Sequence, residues 1–159
     1  MTGRQIAELI DRYTAALTLY ARQWCASPED AVQEAFCKLV GLRVPPDDPA
    51  GWLFRTTKYA AIDRGKADRR RTRREAAVAR PDWWFVERTI EGLDAADAVV
   101  ALDALPADQR EVIVARLWGS LSLEQTATMA GCSVSSAHRR YEAGIALLRE
   151  RLGVKCPTP

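Results

Sequence analysis

The residues best suited to chemistry crowd near the C-terminus, where Ser133, Ser135, Ser136, His138, Arg139 and Arg140 fall within two helical turns. Arginines can reach guanine edges or phosphates, and short hydroxyls let a backbone come close to DNA. On a helix, Ser135, Ser136, Arg139 and Arg140 project away from an apolar side made of Val134, Ala137, Tyr141, Ile145, Leu148 and Leu152. His138 lies at the boundary between the two sides, within reach of a phosphate.

Local signals fix how these groups are presented. Ser133 is placed to cap the helix, and Gly131 supplies the turn before it. A short helix opens at Ser122 and keeps its centre small at Thr126-Ala127, where two helices must approach. This is the pattern of a helix-turn-helix, whose second helix enters the major groove with its N-terminal residues. The segment Leu121 to Leu152 is therefore expected to bind duplex DNA.

Charge supports a localised anionic partner. The net charge of the 159 residues is only +2, but Arg64 to Arg74 is densely basic and Glu87 to Glu111 mainly acidic. With 48% hydrophobic and 28% charged residues, the composition is that of a globular protein. There is no Gly-rich phosphate loop and no nucleophile-base constellation, so an enzyme is not expected. Cys25, Cys37, Cys132 and Cys156 lack metal-ligand spacing, and His138 is the only histidine, so no metal and no cofactor are expected. No apolar stretch approaches a membrane span, and the N-terminus lacks a signal-peptide core; a cytoplasmic protein without membrane attachment is expected.

The elements that must position these groups are all helical; no alternating strand is evident. A first helix is expected over Arg4 to Cys25, with Ile6, Leu9, Ile10, Tyr13, Leu17, Tyr20 and Trp24 in one stripe. Ser27-Pro28-Glu29-Asp30 starts a second helix to Leu42, with Ala31, Val32, Ala35, Phe36, Leu39 and Val40 inside. Asp48-Pro49 opens a third, running to at least Arg70 and packing through Trp52, Leu53, Thr56, Tyr59, Ala60 and Ile62. Residues 72–93 read as a linker whose Trp83, Trp84 and Phe85 are expected to dock on a neighbouring domain. Helices over Ala95 to Leu105, Ala107 to Leu117, Leu123 to Ala130 and Val134 to Leu152 complete the chain.

Leu105-Pro106-Ala107-Asp108-Gln109-Arg110-Glu111-Val112, Leu121-Ser122-Leu123-Glu124-Gln125 and Gly131-Cys132-Ser133-Val134-Ser135 together resemble region 4 of sigma-70 family RNA polymerase sigma factors. Asp30 to Phe36 resembles region 2.2, and Pro49 to Leu53 with Ala60 to Arg64 resembles regions 2.3 and 2.4. The order and separation of these motifs resemble the extracytoplasmic-function (ECF) type, which keeps regions 2 and 4 with a linker between. The resemblance implies an all-α chain of two small helical domains. These are a region 2 three-helix bundle over 4–71 and a region 4 helix-turn-helix domain over 94–153, joined by the linker.

It implies partners and roles as well. Core RNA polymerase would be met through the β′ clamp helices and the β flap. Asp30, Gln33 and Glu34, at three- and four-residue spacing, would face the clamp helices. Lys58, Tyr59, Asp63, Arg64, Lys66 and Arg69 would read the −10 element and hold melted DNA. Ser133, Ser135, Ser136, His138, Arg139 and Arg140 would bind −35 duplex DNA. ECF-type factors are often held by an anti-sigma factor. Two departures stand out: Lys58-Tyr59 replaces a common Arg-Asn pair, and Glu142-Ala143-Gly144 replaces a more basic stretch. A helix-turn-helix regulator, or a sigma-like adaptor that binds DNA without supporting initiation, is the alternative.

Overall fold

The structure is a computed structural model that describes residues 1–74 and 95–153. The described residues form seven helices: α1 (Gly3–Ala21), α2 (Pro28–Gly41), α3 (Pro49–Arg74), α4 (Ala95–Asp103), α5 (Ala107–Leu117), α6 (Leu123–Ala130) and α7 (Val134–Arg151). The first three make one bundle and the last four a second. Trp83, Trp84 and Phe85, expected to dock on a neighbouring domain, lie outside the described residues.

Each start has a local cause. Thr2 and Gln5 form a capping box on α1: the Thr2 hydroxyl accepts from the Gln5 amide, and the Gln5 side chain accepts from the Thr2 amide. Pro28 takes the first turn of α2 together with Glu29 and Asp30, while Ser27 makes no side-chain cap bond. Asp48 caps α3 by accepting from the Gly51 amide at 3.0 Å. Gly51 leaves room for that carboxylate, since a Cβ there would stand 2.2 Å from Asp48 Oδ2.

Several expectations need correction, beginning with Ile10 of the expected α1 stripe, which is exposed. α1 ends at Ala21 rather than Cys25, because the chain turns there and sets the Trp24 ring edge-on against Tyr20, centroids 4.8 Å apart. Val40, expected inside, is 58% exposed at the end of α2. On α3, Tyr59 points outward, while Phe54 and Thr57, which a single stripe does not include, are fully buried. The reason is that α3 packs on two sides at once, against α1 and α2 and also against α6.

The two bundles share one core. Leu17, Tyr20 and Phe54 of the first join Ile113, Leu121 and Met129 of the second in a single buried cluster. Gly119, after α5, lets the Phe54 ring approach; a Cβ at 119 would lie 2.5 Å from the ring and 2.6 Å from the Ala115 carbonyl.

Candidate nucleic-acid interface

The helix-turn-helix is built from α6 and α7. Ser122 and Gln125 close a capping box on α6. Gly131 ends that helix in the left-handed region at φ 67°, which a side chain would strain. Ser133 then caps α7 by accepting from the Ser136 amide at 3.2 Å. Arg116 ties the unit together: its guanidinium donates to the Leu121 carbonyl and lies over the Tyr141 ring of α7, 5.6 Å from the centroid.

Gly144 sits where α7 crosses α5, and a Cβ would stand 2.9 Å from Ile113 Cγ1. This departure from the family pattern is thus a close-packing position. Leu148 and Ala137 are buried on the inner side of α7, whereas Val134, expected there, is 42% exposed at its first residue.

Ser133, Ser135, His138 and Arg139 are exposed along the first turns of α7, and Ser136 is half-buried. Arg139 donates to Ser136 Oγ at 3.2 Å and is otherwise open to solvent. Arg140 is arranged differently: it folds back on Asp108 of α5, Nε to Oδ2 3.2 Å, and is only partly exposed. An exposed surface of hydroxyls with one open arginine, on a capped helix N-terminus, can take phosphate and base-edge contacts together.

The six candidates on α3 do not form one surface. Tyr59, Asp63 and Lys66 share an exposed side, with Lys66 and Asp63 paired at 3.6 Å, and Arg69 is exposed farther along. Arg55, not among the sequence candidates, stacks over Tyr59 at 6.0 Å; its position four residues before Tyr59 was the available signal. Lys58 turns into the space between the bundles, and Arg64 turns toward α2.

On α2, Asp30 and Gln33 are exposed and Glu34 half-buried. Glu34 is held by Lys38 at 2.8 Å and by Arg64 at 3.2 Å. The Lys38 hydrogen bond, with a smaller part from Arg64, keeps its carboxyl below the usual glutamate range.

Between the bundles lies a polar knot that periodicity could not reveal. Glu111 of α5, nearly buried, accepts from the Tyr20 hydroxyl at 2.8 Å and pairs with Lys58 at 2.5 Å. Burial, then the Glu111 charge, pushes the Tyr20 phenol well above its ordinary range, so it remains a donor. The Lys58 ammonium also lies 5.7 Å from the Trp24 ring centroid. Gln125 of α6 donates to Asp48 at 2.7 Å, and Arg110 of α5 donates to Gln23 at 3.3 Å. These partners stand tens of residues apart in sequence.

Among the described residues, no helix is long and apolar enough to cross a membrane, and no three His, Cys, Asp or Glu side chains group to hold a metal ion. Burial raises the Cys25 thiol above its ordinary value.

Residues 101–150 match the family "Sigma-70, region 4". No curated protein matches the chain. The fold is similar to the co-crystal structure of the sigma factor RpoE in complex with the anti-sigma factor NepR from Bartonella quintana. That match has a TM-score of 0.74 at 22% identity, over 96% of this chain and 99% of that one. It is also similar to the structure of CnrH in complex with the cytosolic domain of CnrY, with a TM-score of 0.64 at 24% identity, over 98% of this chain and 92% of that one.

Proposed function

We propose that this chain, whose residues 101–150 match sigma-70 region 4 and whose fold is similar to that of a solved sigma factor, is an ECF-type sigma factor that binds core RNA polymerase and directs promoter recognition. Such a factor has no catalytic residues of its own; it recruits polymerase, grips two promoter elements and helps to open the DNA between them.

The observation that carries this reading is the combination of a region 4 match with an exposed, capped first turn on α7. Ser133, Ser135, Ser136, His138 and Arg139 would meet −35 duplex DNA directly, and Arg140 would do so on leaving Asp108. Tyr59, Asp63, Lys66 and Arg69 would face the −10 strand, where an aromatic ring and cations suit unpaired bases and phosphates. Asp30, Gln33 and Glu34 would meet the polymerase clamp helices, and the second bundle would meet the β flap. The domain limits proposed from sequence, 4–71 and 94–153, stand beside a third helix that continues to Arg74.

Lys58 is paired with Glu111 in the closed arrangement, so its use on DNA requires the two bundles to part. A partner that holds them together would keep the factor inactive. The structural likeness to RpoE, solved with an anti-sigma factor, supports an anti-sigma protein as that partner.

The test is reconstitution with bacterial core polymerase and transcription from a promoter library. Specific initiation supports the reading. Failure to associate with core would leave a helix-turn-helix regulator, and association without open complexes would leave a sigma-like adaptor.

A further inference from the structure

We propose that Arg64 is a positioning residue for Asp30 and Glu34 on the polymerase-facing side of α2, rather than a contact to −10 DNA. The inference rests on the polymerase-binding role proposed above for α2.

The sequence of α3 places Arg64 at the head of the basic block, a position that by composition alone suggests a phosphate contact. Packing redirects it. Ala21, Ala31, Ala60 and Ala61 form a buried cluster of small side chains where α1, α2 and α3 meet, so the helices approach closely. Immediately beyond Arg64, Gly65 lies against the turn after α1, where a Cβ would stand 2.0 Å from the Trp24 carbonyl oxygen. α3 is thereby held in one rotational setting, and Arg64 is aimed across the alanine seam at α2.

Its guanidinium forks over one turn of that helix. Nη1 lies 3.4 Å from Asp30 Oδ2 and Nη2 3.2 Å from Glu34 Oε2. Nε is buried with no hydrogen-bond partner among the described residues, so it too is turned from solvent. The other Glu34 oxygen, Oε1, takes Lys38 Nζ at 2.8 Å. Each oxygen of Glu34 thus has its own cation, which fixes the plane of the carboxylate. Asp30, Glu34, Lys38 and Arg64 balance in charge, so α2 presents oriented acceptors instead of a diffuse negative field. A planar fork reaching two carboxylates one turn apart is a task for arginine; the point charge of a lysine cannot span it.

The experiment compares full-length wild type, Arg64→Ala, Arg64→Lys, Glu34→Ala and the Arg64→Ala/Glu34→Ala double variant. Two quantities are read: affinity for bacterial core polymerase, and the salt dependence of holoenzyme binding to single-stranded oligo(dT). Arg64→Ala is expected to weaken core binding about five-fold, the scale of one partly exposed ion pair. Arg64→Lys should weaken it in the same direction, and the double variant should lose less than the sum of the two single losses, the remainder being the Asp30 contact that Arg64 keeps in Glu34→Ala. The oligo(dT) salt slope should be that of wild type.

An Arg64→Ala slope shallower by about 0.7, with core affinity unchanged, would make Arg64 a phosphate contact and overturn the proposal. Additive losses in the double variant would overturn it as well. If Arg64→Ala does not fold, Arg64→Lys decides: it keeps a charge for phosphate but not the fork, so unchanged core affinity sinks the idea. Failure of the wild type itself to bind core would instead refute the sigma-factor reading.

Discussion

Glu111 of α5 and Lys58 of α3 form an ion pair 2.5 Å long that joins the two bundles, with the carboxylate side chain only 9% exposed. The Tyr20 hydroxyl donates to the same Glu111 oxygen, so one carboxylate satisfies donors from both α1 and α3. A group that would read the −10 strand is, in this arrangement, the group that fastens the second bundle to the first.

Removing one partner should cost more than removing both. Glu111→Ala leaves a mostly buried ammonium without its acceptor and the Tyr20 hydroxyl with only the Met129 sulfur, and is expected to destabilise the chain by about 3 kcal/mol. Lys58→Met combined with Glu111→Leu should cost less than the sum of the single changes. Urea unfolding of wild type, Lys58→Met, Glu111→Leu and the double variant measures the coupling; strict additivity would show that the pair contributes nothing.

Gly65→Ala should reverse the usual helix rule. Alanine in a helix interior ordinarily gains about 1 kcal/mol over glycine. Here the added Cβ would stand 2.0 Å from a backbone carbonyl at Trp24, which cannot rotate away. A loss of about 2 kcal/mol or more is expected, by the cost of overpacking. A melting temperature at or above wild type would contradict the close approach of α3 to this turn.

The two arginines at the start of α7 should separate. Arg139 is open to solvent, while Arg140 is paired with Asp108. Arg139→Ala is expected to weaken binding to −35 duplex DNA and to lower the salt slope by about 0.9, with core-polymerase affinity unchanged. Asp108→Ala, which frees Arg140, should strengthen duplex binding. Equal loss of core binding in Arg139→Ala would mean that α7 presents a different side.

Acid titration should report on Glu34. Its folded-state carboxyl is lowered, first by the Lys38 hydrogen bond, so its favourable contribution is complete above the ordinary glutamate range and disappears as pH falls through the folded-state value. Lys38→Met should raise the Glu34 midpoint toward that ordinary range, and more than Arg64→Ala does. NMR titration of the Glu34 side chain measures both; a larger effect from Arg64→Ala would reverse the ranking of the two cations.

Much of the chain was legible before folding was considered. Caps, prolines and apolar spacing act over three or four residues, and they place α2, α5, α6 and the turn at Gly131 within a residue or so of where they lie. The outward Ser133, Ser135 and Arg139 at the start of α7 follow from local pattern as well, and the region 4 part of the family resemblance agrees with the match over residues 101–150. A single period assumes one buried side, however, and α3 has two; Phe54 and Thr57 therefore went unnoticed, and Tyr59 was expected inside.

Helix type, order, capping and the chemistry available on each surface depend on neighbours within a turn, so local residue pattern is enough to set them. Tertiary structure decided which of those groups remain open. Lys58 goes to Glu111, Arg64 to Asp30 and Glu34, and Arg140 to Asp108, across separations of tens of residues. No local signal selects such pairs. They arise because small residues at Ala31, Ala60, Gly65, Gly119 and Gly144 let particular helix faces come close enough for a charge on one to meet its opposite on another.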